Sequence, residues 1–319
     1  MGSKAVIRPP RLAAGCRVAL IAPSGPLPER DDHARAAELC RALGYEPVPG
    51  PNAARRHGYL AGTDAERLAD LNAALGDGSI DAVWCLRGGY GLTRILDGVD
   101  FAALARRPKP VVGFSDVSVL LNAITGETRV VAFHGPTARQ PLGAFTRRHF
   151  ERVLGSAEPA GRLERVPPPP DVLAPRAPRI ATLRGGRAEG PLAGGNLSLL
   201  QCLVGTRWFP DLAGALLFLE DVGEELYRID RMLSHLRLAG VLAGVAGVVV
   251  GQFTEMPRAS DGGLDLDDVL EHYLAPLGVP VARGFPIGHM DEQWTLPLGV
   301  RARLDADAGE LALLDPAVA

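Results

Sequence analysis

Short apolar runs alternate with longer amphipathic stretches along the first part of the chain. Cys16 to Ala22 reads as a strand that stops at Pro23-Ser24-Gly25-Pro26, and a charged helical stretch follows from about Glu29 to Leu43, ended by Gly44. Thr63 and Glu66 form a capping box that opens a helix reaching about Leu75. Ile80 to Leu86 is the next strand and runs into Arg87-Gly88-Gly89-Tyr90-Gly91. Pro110 to Phe114 is a third strand leading to a helix from Val117 to about Ile124, and Arg129 to Phe133 is a fourth strand. Strands that alternate with helices predict a parallel sheet covered on both faces.

The pattern breaks between Gly155 and Gly190, where Pro167 to Pro170 stand in a row and Pro175 and Pro178 follow, as expected of an interdomain connection. Beyond it, Gly195 to Val204 reads as helix, Ala215 to Leu219 as strand, Val222 to Leu238 as an amphipathic helix closed by Gly240, and Val245 to Val250 as strand. At the end, Val300, Ala302 and Leu304 alternate with Arg301 and Arg303, and Asp307-Ala308-Gly309 turns the chain into Leu311 to Leu314, a hairpin. The expected units are 1–155, a connection 156–189, and 190–319.

Composition narrows the function. With 319 residues, 34 basic and 37 acidic side chains and a net charge of −3, the chain suits a two-domain globular protein without the basic stripe of a nucleic-acid binder. The weakly polar run from Leu238 to Gly251 is glycine-rich and shorter than the roughly 18 apolar residues of a spanning helix, so no membrane partner is expected. Leu12-Ala13-Ala14-Gly15-Cys16 has the look of a lipoprotein cleavage box, but Arg8, Pro9, Pro10 and Arg11 stand where its apolar segment belongs, so export is not expected. Cys16, Cys40, Cys85 and Cys202 are dispersed, which suits a reducing cytoplasm and gives neither a zinc knuckle nor a disulfide framework. No His or Cys spacing of a metal site and no phosphate-loop pattern occurs, so neither metal nor cofactor is expected.

Three places carry candidate chemistry. Gly113-Phe114-Ser115-Asp116 lies between an apolar strand and a helix, where a serine can stand exposed on a sharp turn; the alternative is that Ser115 or Asp116 caps the helix. Val117 occupies the second glycine position of Gly-x-Ser-x-Gly. Leu216-Leu217-Phe218-Leu219 ends in Glu220 and Asp221. Asp221 is expected to form a capping box with Glu224, whereas Glu220, at the end of an apolar strand, calls for a histidine or arginine partner, in catalysis or in a structural salt bridge. Among the seven histidines, His134 ends a strand and is a pocket candidate, His289 follows a short strand into an irregular loop of the kind that gathers catalytic side chains, His57 sits in a loop, and His33, His149, His235 and His272 fall in charged or amphipathic stretches expected at the surface or its boundary. The Arg87–Gly91 turn is suited to present backbone N–H groups to an oxyanion.

Taken in order, Ala22-Pro23-Ser24-Gly25, Arg87-Gly88-Gly89-Tyr90-Gly91, Gly113-Phe114-Ser115-Asp116, Gly194-Gly195-Asn196-Leu197, Leu219-Glu220-Asp221, and Gly288-His289 with Leu296-Pro297-Leu298-Gly299 resemble the LD-carboxypeptidase family of serine peptidases, which includes the microcin C self-immunity hydrolases. The likeness runs from about Cys16 to about Val300. It implies an α/β fold with a Rossmann- or flavodoxin-like N-terminal domain and a smaller mixed α/β C-terminal domain. It also implies a triad with Ser115 as nucleophile, His289 as base and acid, and Glu220 orienting the imidazole. The N–H groups of Asp116 and Gly89 are expected to form the oxyanion hole, with Gly88 the near alternative. The implied reaction is removal of terminal D-alanine from murein tetrapeptide, a small peptide, in cytoplasmic peptidoglycan recycling by a homodimer.

A terminal carboxylate suits an arginine fork, for which Arg87 or Arg231 are candidates unless they form structural ion pairs, and Asn196 joins them as a substrate-binding candidate. Two rivals stand beside this reading. One keeps the triad but takes a peptidyl or aminoacyl nucleotide, with Trp208 or Trp294 as platform for the base or as plain packing. The other is a non-catalytic, two-lobed small-molecule binding protein.

Overall fold

The computed structural model describes residues 6–168, 179–257 and 263–319, so Pro169, Pro170, Pro175 and Pro178 of the proline-rich connection lie outside the described residues. In chain order the strands are β1 (Arg17–Ile21), β2 (Glu46–Pro49), β3 (Ala82–Cys85), β4 (Val111–Gly113), β5 (Ala132–His134), β6 (Gly161–Arg162), β7 (Ala181–Arg184), β8 (Arg187–Asn196), β9 (Leu216–Val222), β10 (Gly247–Thr254), β11 (Val281–Arg283), β12 (Leu296–Leu298), β13 (Arg301–Asp305) and β14 (Glu310–Leu313). The helices are α1 (Asp32–Ala42), α2 (Asp64–Gly76), α3 (Leu92–Ile95), α4 (Phe101–Arg106), α5 (Ser118–Thr128), α6 (Ala144–Gly155), α7 (Leu197–Cys202), α8 (Leu226–Leu238) and α9 (Leu266–Leu274).

The strands form two sheets, and the fold is the expected mixed α/β one. The first has the order β12-β5-β4-β3-β1-β2. Its five N-terminal strands are parallel and wound as in flavodoxin, with β12 added antiparallel beside β5. The second has the order β6-β14-β13-β8-β9-β10-β11-β7, with β8 to β11 parallel and antiparallel strands on either side. Thr63 and Glu66 make the expected capping box on α2, and β13 and β14 form the expected hairpin.

The differences from expectation have physical reasons. β2 and β12 carry Pro47, Pro49 and Pro297, which hide them as strands. A proline cannot donate to a ladder, and these two strands occupy the two edges of the first sheet, where that loss is tolerated. The segment read as a connection also supplies β6, β7 and the start of β8 to the second sheet. Gly195 and Asn196 belong to β8, and α7 starts only at Leu197. Likewise β9 runs on to Val222, and α8 begins at Leu226.

The second sheet faces two ways, as period-2 alternation dictates. Leu216, Phe218, Val249 and Ala282 join a core continuous with that of the first sheet, whereas Leu217, Leu219, Val248 and Val250 pack on a separate core with Leu233 and Leu236 of α8. The seam between the second sheet and α5 runs past Gly194 and Gly195, both with positive φ. A Cβ at Gly194 would lie 2.0 Å from Phe218 O of the neighbouring strand β9, and one at Gly195 2.7 Å from Ser118 Oγ of α5. Across it, Asn122 of α5 donates to Gly194 O at 2.9 Å, and the Asn196 amide donates to Ser118 Oγ at 3.2 Å.

Candidate active site

Ser115 stands on the turn between β4 and α5 in the left-handed region, with φ 64°. A non-glycine residue there costs of order 1 kcal/mol or more and persists only where its surroundings hold it. Two glycines make room. A Cβ at Gly113 would meet Val117 Cγ1 at 2.8 Å, and one at Gly88 would meet Ser115 Cβ at 2.7 Å and its Oγ at 2.9 Å. Val117 therefore fills the second glycine position of the elbow pattern without harm. Neither Ser115 nor Asp116 caps α5. Asp116 is buried and accepts from the Leu92 amide at 3.0 Å, and burial pushes its carboxyl above the usual range.

The loop after β3 is braced by Arg67, which the sequence reading missed. Its buried guanidinium donates to Pro23 O (2.5 Å), Gly91 O (3.0 Å) and Asp64 Oδ1 (2.5 Å), tying the loops after β1 and β3 together. Gly25 N–H donates to Gly88 O at 3.0 Å, and Gly89 has φ 116°. Among the described residues no hydrogen bond takes the amide of Gly89 or of Asp116, so both are free to donate.

Glu220 lies on the same face of β9 as Leu216 and Phe218, and is fully buried. Its Oε2 is 2.8 Å from His289 Nδ1. Only glycine permits this approach: a Cβ at Gly288, where φ is 107°, would fall 2.3 Å from Glu220 Oε2, and one at Gly251 would fall 3.2 Å from Glu220 Cβ. The His289 side chain is 22% exposed and its ring lies 4.7 Å from that of Phe114, next to Ser115. Arg87, Gly88, Gly89, Ser115, Arg139 and His289 face one cleft of about 350 Å³. The groups from the first sheet stand at the carboxyl ends of parallel strands, where such folds bind ligands. Among the described residues no hydrogen bond joins Ser115 to His289.

Other expected residues lie elsewhere. Asp221, on the face of β9 opposite Glu220, does not cap α8. It is buried and accepts from Asn196 Nδ2 and the Ser198 amide, both at 2.9 Å, and burial pushes its carboxyl up to about 6. Asn196 is itself buried and caps α7, and Arg231 is exposed on α8 with its guanidinium 5.2 Å from the Tyr227 ring; neither lines the cleft. His134 is not a pocket residue. It is fully buried edge-on to Phe114 and Phe218, and burial pushes it down to about 4. His149, expected near the surface, is buried against Phe145 and also pushed down to about 4 by burial. Trp294 is packing: it is buried and donates to Glu164 O at 2.8 Å. Among the described residues, no group of three or more His, Cys, Asp or Glu is arranged to hold a metal, and no helix is long and apolar enough to cross a membrane.

Comparison with known proteins bears on this arrangement. Residues 18–135 match the LD-carboxypeptidase N-terminal domain model and residues 189–304 the LD-carboxypeptidase C-terminal domain model. A Streptomyces coelicolor protein with a provisional carboxypeptidase name is 41% identical over 98% of both chains. The murein tetrapeptide carboxypeptidase of Pseudomonas aeruginosa is 36% identical over 91% of this chain and 94% of its own. The microcin C7 self-immunity protein of Escherichia coli is 26% identical over 95% of this chain and 94% of its own. A solved structure of microcin C7 self-immunity protein with aspartyl sulfamoyl adenosine superposes with a TM-score of 0.89 at 25% identity, covering 98% of this chain and 100% of that one.

Proposed function

The chain belongs to the LD-carboxypeptidase family of serine-type hydrolases, and on that premise we propose that it cuts the L,D peptide bond of murein tetrapeptide, releasing terminal D-alanine through Ser115, His289 and Glu220. As a hydrolase it is not the non-catalytic binding protein of the rival reading.

The observation that carries the proposal is the 2.8 Å contact of His289 Nδ1 with buried Glu220, in the same cleft as a serine on a left-handed turn. With Nδ1–H donating to Glu220, Nε2 is the free base. It takes the hydroxyl proton as Ser115 Oγ attacks the carbonyl carbon of the penultimate residue, and Glu220 balances the charge that develops on the imidazole. The amides of Asp116 and Gly89 hold the oxyanion. On collapse the departing amine of D-alanine takes the proton from His289. A water that gives its proton to His289 then attacks the acyl-serine ester and frees the shortened peptide.

Arg87 meets the terminal carboxylate, and Asn196, which donates to Asp221 on the face of β9 opposite Glu220, serves the turn into α7. The units 1–155 and 190–319 supply Ser115 and the Glu220–His289 pair respectively, so neither expressed alone hydrolyses substrate. Peptidoglycan recycling in the cytoplasm, by a homodimer, completes the reading.

The likeness to the nucleotide-analogue complex supports a second reading, hydrolysis of an aminoacyl nucleotide. Against it, neither Trp208 nor Trp294 lines the cleft. Incubation with murein tetrapeptide and, separately, with an aminoacyl-adenylate analogue tests both, with Ser115→Ala as control. Release of D-alanine that stops on Ser115→Ala is expected. Turnover of the adenylate analogue without D-alanine release would replace the proposal with the second reading, and unchanged hydrolysis by Ser115→Ala would overturn the triad.

A further inference from the structure

The segment after β5 brings a second arginine to the cleft. Ala138 N–H donates to Cys85 O at 2.9 Å and Arg139 N–H to Leu86 O at 3.3 Å, so this loop is stitched to the end of β3 and Arg139 comes to stand beside Arg87. Both line the cleft that holds Ser115 and His289, and among the described residues no Asp or Glu lines it. Arg87 has one tie among those residues, from Nη1 to Pro26 O at 2.5 Å. Arg139 has neither ion pair nor side-chain hydrogen bond among the described residues, and its Nε is buried without a partner. Burial and the neighbouring Arg139 and Arg56 hold the Arg87 guanidinium below its ordinary value. Gln140 completes the wall. Its Oε1 accepts from the amide (3.1 Å) and hydroxyl (3.2 Å) of Thr137, which leaves its NH₂ to donate.

Two half-buried cations side by side, one with a buried donor unmet, cost free energy that a planar anion accepting from both would offset. The tetrapeptide reading supplies such an anion at a chain end, and this inference rests on that reading. We propose that Arg139 and Arg87 together form a subsite for the free C-terminal carboxylate, and that Arg139 is the specificity-determining residue that restricts cleavage to the terminal bond. An amidated or extended C-terminus leaves both guanidinium groups unanswered and is rejected. A carboxylate held there fixes the register in which only the last peptide bond reaches Ser115.

The test is calorimetric titration of the full chain carrying Ser115→Ala with murein tetrapeptide and with its C-terminal amide. The acid is expected to bind roughly tenfold to hundredfold more tightly than the amide, the loss typical of an unmet charged hydrogen bond. Adding Arg139→Gln should cut that preference severalfold, leaving what Arg87 supplies, and Arg139→Lys should restore part of the loss, because a lysine keeps the charge without the fork. A second reading with Ser115 intact should find the effect of Arg139→Gln chiefly in KM. Equal binding of acid and amide, or a preference undiminished by Arg139→Gln, would overturn the subsite and leave the tetrapeptide reading standing. Binding of neither peptide would overturn both.

Discussion

Ser115 and the Glu220–His289 pair are held by opposite means. The serine is fixed by its own turn: five consecutive residues, Gly113 to Val117, set a left-handed backbone, and a glycine at position 88 leaves room for the side chain. The pair has no strain of its own. It depends on the alternation of β9, on a contact between residues 69 apart in the chain, and on the missing side chains of Gly288 and Gly251. The nucleophile is thus prepared locally, whereas its activation depends on how the second sheet is assembled.

The widest separation between the two should come from removing each in turn. Ser115→Ala is expected to cut kcat by about 10⁵ or more, and Glu220→Gln by roughly 10³–10⁴, because a triad acts as a unit in which the orienting carboxylate costs least when lost. Single-turnover D-alanine release measures both. An unchanged kcat in Glu220→Gln would remove the pair from the reaction and leave the serine to be activated otherwise.

Next in size are two single-methyl insertions that attack the two settings separately. Gly88→Ala drives a Cβ to within 2.7 Å of Ser115 Cβ, and Gly288→Ala drives one to within 2.3 Å of Glu220 Oε2. Each is expected to lower kcat by about 10²-fold, as misplacement by about 1 Å does. Stability should tell them apart. Gly288 has φ 107°, so alanine adds backbone strain to the clash, and a loss of about 2–3 kcal/mol is expected in urea melts. Gly88 is not in the left-handed region, and its substitution should cost less. Equal losses from the two would erase the distinction between a locally held serine and a pair held by assembly.

The same distinction explains what could be read from the sequence. The Ser115 turn was legible because most of what makes it is contiguous, an apolar strand, a glycine and a helix start; only the room left by Gly88 comes from elsewhere. Glu220 was legible as an anomaly, a carboxylate ending an apolar strand. Its need for a partner followed, but its choice of His289 rests on a tertiary approach allowed by Gly288. Asp221 misled because Asp-x-x-Glu is a helix-start pattern, while here β9 continues and the carboxylate turns to Asn196 and Ser198. Prolines concealed β2 and β12 because their edge positions are set by sheet order, which no local pattern encodes. Arg139 escaped notice because it lies in a loop, although the position itself was inferable: it follows a parallel strand at the same end of the sheet as Arg87 and Ser115.

The smallest expected effect concerns the seam between the two regions, where His134 lies edge-on to Phe114 of the serine's turn and Phe218 of β9. Burial lowers its folded pKa to about 4, below its unfolded value of 6.5. The unfolded chain therefore binds the proton more readily between these limits, and stability present above pH 6.5 is lost as pH falls towards 4. On this basis His134 alone accounts for a loss of about 2 kcal/mol between pH 7 and pH 5. His149, also pushed down to about 4, adds in the same direction. Asp221 opposes them: with its folded pKa raised to about 6 from 3.8, it withdraws stability as pH rises through that interval. His134→Phe removes one of these two buried histidines at a volume cost that is the same at both pH values, so the comparison of urea midpoints at pH 7 and pH 5 isolates its titration. The variant should lose about 2 kcal/mol less than the parent over that step. An identical loss in both would mean that the imidazole is already solvated or paired at the seam, and that the two regions meet less tightly there than the rings beside it imply.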